Sequence, residues 1–141
     1  MKKQYPLISV ITVSYNAVST IEDTILSVIN QTYTNIEYII IDGGSADGTV
    51  GIIEKYVDRI SYWVSEPDKG IYDAMNKGLK VANGDWAIFM GSDDVFFNNK
   101  VIMLVIERIL IPDNIYYGNV ILKTSHKLYP TSIKSDRKSV V

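Results

Sequence analysis

The stretch Asp85-Trp86-Ala87-Ile88-Phe89-Met90-Gly91-Ser92-Asp93-Asp94 decides how this chain is read. Its apolar run, Trp86 to Met90, is bounded by Gly84-Asp85 before and Gly91-Ser92 after. A run of that length between turn signals predicts a buried parallel strand. Ligands of open α/β sheets bind just outside the carboxyl ends of the strands, which is where Asp93 and Asp94 fall. Two adjacent carboxylates repel each other, and a cation between them relieves the repulsion. Oxygen-only ligands suit Mg²⁺ or Mn²⁺ better than zinc. Aspartate is also a common turn residue, so this stretch alone leaves a cation site and a plain polar turn both open.

Upstream, Leu7 to Tyr15 is rich in β-branched residues without helical period and predicts a first buried strand, with Asn16-Ala17-Val18 as its exit loop. Ser19 or Thr20 can cap a helix whose apolar face is Ile21, Ile25, Val28 and Ile29. Ile36 to Ile41 predicts a second strand, running into Asp42-Gly43-Gly44-Ser45-Ala46-Asp47-Gly48-Thr49. Asp47 or Thr49 can cap the next helix, with Val50, Ile53 and Val57 on its apolar face. Ile60 to Ser65 is a third strand and Glu66-Pro67-Asp68-Lys69-Gly70 a turn. A helical stripe follows at Ile71, Met75, Gly78, Leu79 and Ala82, closed by Asn83-Gly84 with Gly84 as C-terminal cap. Beyond the opening stretch, Val101 to Leu110 predicts a helix stopped by Pro112, and Ile115 to Leu122 a strand interrupted by Gly118. The alternation is that of an α/β sandwich with a mainly parallel sheet.

A chain of 141 residues suits one domain with a real core. Hydrophobic residues make up 47% and charged residues 21%, both ordinary for a globular protein. A net charge of −2 with no basic block argues against nucleic acid as a partner. The absence of cysteine excludes disulfides and thiolate metal sites. No apolar stretch reaches the ~18 residues of a membrane span.

Gly43-Gly44-Ser45-Ala46-Asp47-Gly48 misses the dinucleotide fingerprint, because its third position is Ser45 and it follows the second strand. No Gly-x4-Gly-Lys-Ser/Thr loop exists, and the single histidine, His126, sits outside any strand-turn context for a hydrolase triad. What remains is a carboxylate at the end of successive strands: Asp42, Asp68, then Asp93-Asp94. Parallel strands bring those ends together, and an acidic rim holding a cation suits a substrate that carries phosphates.

Four segments, in order, resemble family 2 glycosyltransferases of the GT-A fold. They are Val13-Ser14-Tyr15-Asn16, the Asp42 to Thr49 turn, Asp68-Lys69-Gly70-Ile71-Tyr72-Asp73-Ala74-Met75-Asn76-Lys77-Gly78, and Gly91-Ser92-Asp93-Asp94. The resemblance runs from about Leu7 to about Leu122. It implies a Rossmann-like three-layer sandwich and transfer of a sugar, with inversion, from a nucleotide-diphosphate donor, usually UDP. It implies Mg²⁺ or Mn²⁺ as cofactor and a saccharide or lipid-linked saccharide acceptor in bacterial cell-surface polysaccharide synthesis. Location in the cytoplasm, with peripheral association at the inner face of the cell membrane, follows from the same likeness. The implied nucleotide-sugar site comprises Val13, Tyr15, Asn16, Asp42, Asp68, Lys69, Asp73, Asn76, Ser92 and Asp93. Tyr15 and Asn16 form the lip of the base pocket, Asp42 bonds the base, and Asp93 contacts the ribose or sugar. Asp94 is the metal ligand of an Asp-x-Asp type motif whose first position is Ser92 here. Where many members carry an arginine before Asn76, this chain has Met75, so Lys69 or Lys77 is expected to supply the positive charge.

An inverting transferase needs a general base for the acceptor hydroxyl. The resemblance puts it in an acceptor-binding half, expected beyond residue 141. Asp113 in Pro112-Asp113-Asn114 reads as a turn residue. Asp136 to Val141 reads as a non-native tail, the translation of a sequencing adapter, with an ordinary polar tail as the alternative; residues 1–135 are expected to be an incomplete donor-binding domain. The alternative expectation is a nucleotide-binding fragment that does not turn over.

Overall fold

The register of four parallel strands aligns their carboxyl ends. The computed structural model describes residues 5–108, 120–121 and 128–129. The strands are β1 (Ile8–Ser14), β2 (Ile36–Asp42), β3 (Tyr62–Ser65) and β4 (Trp86–Gly91), in the order β3-β2-β1-β4. Ser14 pairs with Asp42, Asp42 with Ser65, and Val13 with Gly91. The chain winds outward from β1 through β2 to β3, then returns to place β4 on the other side of β1. That reversal makes a topological switch point, where crossovers on either side leave a crevice.

β1 is buried at all seven positions, as a central strand with both faces covered must be. Successive side chains point to opposite faces. Ile8 and Val10, with Tyr38 and Ile40 of β2, face α1 (Ile21–Ile29), α2 (Thr49–Glu54) and α4 (Val101–Arg108) through Ile21, Ile25, Val28, Ile53 and Ile102. Ile11, Val13, Ile39 and Ile41 face α3 (Ile71–Val81) through Ala74. The described sheet is thus covered by helices on both faces.

Several local expectations are corrected. Thr20 stands at the N-cap of α1 but makes no side-chain cap; the Ala17 carbonyl takes the N–H groups of Thr20 and Ile21 instead. Val57 is not on the apolar face of α2, which ends at Glu54; it lies exposed in a 3-10 turn, Val57–Arg59. The face α3 buries is Ala74 and Gly78, while Ile71 and Leu79 are exposed. Small residues face the sheet because the approach is close: a Cβ on Gly78 would lie 2.5 Å from Ile11 Cγ2. Gly84 is no left-handed cap, since α3 ends at Ala82 in extended conformation. Its constraint is lateral, as a Cβ there would lie 2.6 Å from the Ser9 backbone nitrogen. β4 is not buried on both faces: it closes one side of the described sheet, and Phe89 on the α3 side is 40% exposed.

The chain divides into two compact units, residues 1–107 and 108–141. In the second, β5 (Val120–Ile121) pairs antiparallel with β6 (Leu128–Tyr129), where the sequence predicted one strand over Ile115–Leu122. Asp113, His126 and the 136–141 tail lie outside the described residues.

Candidate functional site

A cavity of about 650 Å³ opens at the carboxyl ends of the strands. It is lined by Val13 and Ser14 of β1 and Tyr15 after it, Gly43 after β2, Pro67, Asp68 and Gly70 after β3, Ile71 and Ala74 of α3, Gly91 at the end of β4, and Ser92 and Asp93 after it. The volume suits a drug-sized ligand. Of the expected site residues, Val13, Tyr15, Asp68, Ser92 and Asp93 meet here. Asn16, Asp42, Lys69, Asp73, Asn76 and Asp94 are not in its lining.

Asp42 lies beneath the cavity floor, 0% exposed. Its Oδ1 accepts from the hydroxyls of Ser14 (2.6 Å) and Ser45 (2.6 Å). Its Oδ2 accepts from Ser65 Oγ (2.7 Å) and from the backbone N–H groups of Ser45 (2.8 Å) and Gly44 (3.2 Å). Burial alone would raise the carboxyl's pKa; the hydroxyls of Ser14, Ser45 and Ser65 and the Ser45 N–H outweigh it and hold the group below the usual carboxylate range. Sequence reasoning passed over all three serines. For Ser14 and Ser65 the available signal was a hydroxyl as the last residue of a strand, on either side of the strand that ends in Asp42.

Ser45 also links the lip to this centre. Its hydroxyl accepts from the Asn16 N–H (2.7 Å), and Asn16 Oδ1 accepts from the Ala46 N–H (3.0 Å). Asn16 adopts φ 46°, a left-handed conformation that asparagine tolerates. The two exit loops are thereby pinned together, and Tyr15 is held at the mouth with 66% of its surface exposed.

The β3–α3 loop is strapped to its helix. Lys77 Nζ meets Glu66 Oε1 at 3.0 Å, Asp73 Oδ2 at 3.9 Å and the Pro67 carbonyl at 3.4 Å. The hydrogen bond to Glu66 raises the Lys77 pKa above its ordinary value. Asp73 Oδ2 accepts from the Lys69 N–H (2.9 Å), and Asp68 Oδ1 accepts from the Gly70 N–H (2.9 Å). Lys77 and Asp73 therefore hold the loop. Lys69 is exposed and has no ion pair among the described residues, and Asn76 is exposed on α3.

After β4, Asp94 Oδ2 accepts from the Gly91 N–H (3.0 Å), and the Asp94 carbonyl accepts from Thr24 Oγ1 (2.7 Å), anchoring the loop to α1. Asp93 Oδ1 and Asp94 Oδ2 each lie 3.1 Å from where a Gly91 Cβ would stand. Both carboxylate oxygens thus border the space that a side chain on Gly91 would fill. Among the described residues no group of three or more Asp, Glu or His is placed to hold a metal unaided. Magnesium-type ions commonly use one or two carboxylates and complete their shell with water and substrate phosphates, so this pair fits such an ion. No helix among the described residues is long and apolar enough to cross a membrane.

The chain is similar to known glycosyltransferases. An uncharacterized glycosyltransferase of Mycobacterium tuberculosis is 42% identical over 105 residues, which is 74% of this chain and 40% of that protein. A PGL/p-HBAD biosynthesis glycosyltransferase of Mycobacterium bovis is 28% identical over 137 residues, covering 94% of this chain and 54% of the relative. Among solved structures, S. aureus TarS 1-349 in complex with UDP matches with TM-score 0.64 and 29% identity, over 70% of this chain and 30% of that one. The mannosyltransferase PcManGT of Pyrobaculum calidifontis, in complex with GDP-Man and Mn²⁺, has TM-score 0.76 at 20% identity, over 87% of this chain and 38% of that one, a likeness of fold. The chain spans 40% of the length of the M. tuberculosis relative. The α/β sheet is that of the GT-A fold of these solved structures, and the model of glycosyl transferase family 2 matches residues 9–131, so the chain belongs to glycosyl transferase family 2.

Proposed function

We propose that residues 1–135 are the donor-binding part of an inverting transferase. It moves a sugar from a UDP-sugar to a saccharide or lipid-linked saccharide acceptor in bacterial cell-surface polysaccharide synthesis. The observation that carries this reading is the strand-end cavity, which places an aromatic lip, Tyr15, and an acceptor, Asp68, in one space with Asp93. The UDP complex of TarS and the biosynthetic role in the name of the M. bovis relative support it. Val13 and Ser92 line the donor, Asn16 fixes the lip, and Asp93 contacts the ribose. Asp94, with Asp93, holds Mg²⁺ or Mn²⁺ against the diphosphate. When bound, that ion offsets the charge growing on the departing diphosphate. Asp73 holds the β3–α3 loop, Asn76 lies on the helix that follows, and Lys69, between two cavity-lining residues, is available to the diphosphate. The general base is supplied by residues beyond this chain. The protein acts in the cytoplasm, peripherally at the inner face of the membrane.

A second reading, a chain that binds nucleotide without turnover, is favoured by its spanning 40% of the length of the M. tuberculosis relative. Calorimetry on the 141-residue chain is expected to detect UDP binding in Mn²⁺ that EDTA weakens. Sugar transfer is expected only from a longer chain. Turnover of a UDP-sugar by the 141 residues would exclude the second reading, and absence of UDP binding would overturn both.

A further inference from the structure

We infer that Asp68, and not Asp42, selects the base of the nucleotide, favouring one that presents a ring N–H over one that presents a lone pair at the same place. The inference rests on the nucleotide reading of the cavity. A carboxylate offers about four lone-pair directions, and Asp42 already accepts five hydrogen bonds from Ser14, Ser45 (twice), Gly44 and Ser65. It is 0% exposed, so no direction is left for a ligand. The position that could carry a side chain into the cavity from β2 is Gly43. Its place is taken from across the crevice: a Cβ on Gly43 would lie 2.8 Å from Asp68 Oδ2.

Asp68 has what Asp42 lacks. It lines the cavity together with Tyr15, whose exposed ring offers a flat face for a base. Its Oδ1 is turned to the Gly70 N–H, while Oδ2 accepts no hydrogen bond among the described residues. The loop that carries it is held by Lys77 on Glu66 and Pro67, by Asp73 on the Lys69 N–H, and by the Glu66 N–H on the Asp42 carbonyl (3.0 Å). An acceptor fixed before the ligand arrives loses little on binding. Uracil meets it with the N3–H donor. Cytosine meets it with the N3 lone pair, which the carboxylate repels.

Comparing UDP with CDP, both in Mn²⁺, isolates the base, because metal and diphosphate are common to the two. Calorimetry on the 141-residue chain should give UDP about tenfold tighter than CDP or better, the discrimination expected when a charged acceptor loses its donor. Asp68→Asn, whose amide can turn either its oxygen or its NH₂ to the base, should bring the ratio to within about threefold. Gly43→Ala keeps the carboxylate but displaces it, and should lower the ratio as well. Asp42→Asn should shift both affinities together and leave their ratio as in the parent chain. Melting curves for each variant identify any that fail to fold, and the remaining two then decide. A ratio unmoved by Asp68→Asn and Gly43→Ala, or one collapsed by Asp42→Asn alone, overturns the inference. Equal UDP and CDP binding by the parent chain overturns it while leaving the nucleotide site intact. Binding of neither refutes the site and the inference with it.

Discussion

Asp42→Ala and Asp42→Asn should differ sharply, because the five donors around this carboxylate are not equivalent. Two of them, the N–H groups of Gly44 and Ser45, are fixed by the backbone and both point at Oδ2. The hydroxyls of Ser14 and Ser45 point at Oδ1 and can rotate. Asparagine can therefore keep its oxygen toward the two N–H groups and Ser65, and place its NH₂ where the two hydroxyls turn to accept it. Only the charge assistance of the bonds is lost, which should cost about 1–2 kcal/mol. Alanine strands both N–H groups, each worth about 1–3 kcal/mol when unsatisfied, so a loss of about 3 kcal/mol or more follows. Urea denaturation followed by the fluorescence of Trp63 and Trp86, which stand in β3 and β4, reads both values. The pH dependence has a definite sign. The folded pKa of Asp42 is lowered, so as pH falls the unfolded chain takes up the proton first, near its ordinary value of about 3.9. The parent's advantage over Asp42→Asn should thus be complete above about pH 5 and fade as pH drops through the folded value. Equal costs for the two substitutions would refute the donor argument, and an advantage that grows on acidification would refute the assigned charge state.

Asp94→Ala should abolish the Mn²⁺-dependent part of UDP affinity and leave uridine, which has no phosphates, within about twofold in calorimetry, a difference below ~0.4 kcal/mol. Equal weakening of uridine and UDP would remove Asp94 from the metal. Gly78→Ala should destabilise the fold by about 1–3 kcal/mol in urea, since the new methyl would stand 2.5 Å from Ile11 Cγ2 in a contact between α3 and β1. A neutral result would mean that α3 can shift outward freely.

The parts legible in the sequence are those set by local pattern, and the parts missed are those set by contacts across the chain. β1 and β2 are recognisable because they are rich in β-branched residues without helical period. Reading an apolar run as a strand buried on both faces misjudged β4, which ends the described sheet and leaves Phe89 exposed. Gly84 looked like a helix cap because it follows Asn83 at the end of a stripe, yet what excludes a side chain there is Ser9, on a strand far away in sequence. The site divides in the same way. A carboxylate after each of β2, β3 and β4 was visible, and of these Asp68 and Asp93 line the strand-end cavity. Which carboxylate lines the cavity was not visible, because it depends on register. Ser14, Asp42 and Ser65 stand in one row only when β1, β2 and β3 are neighbours in that order. Once they are, the row satisfies Asp42 internally, leaves Gly43 at the cavity, and leaves the cavity-lining carboxylate to the next loop. A strand-end aspartate is therefore ambiguous until the residues paired beside it are known. Beside serine it becomes part of the scaffold, and beside glycine its neighbour across the crevice can reach the ligand.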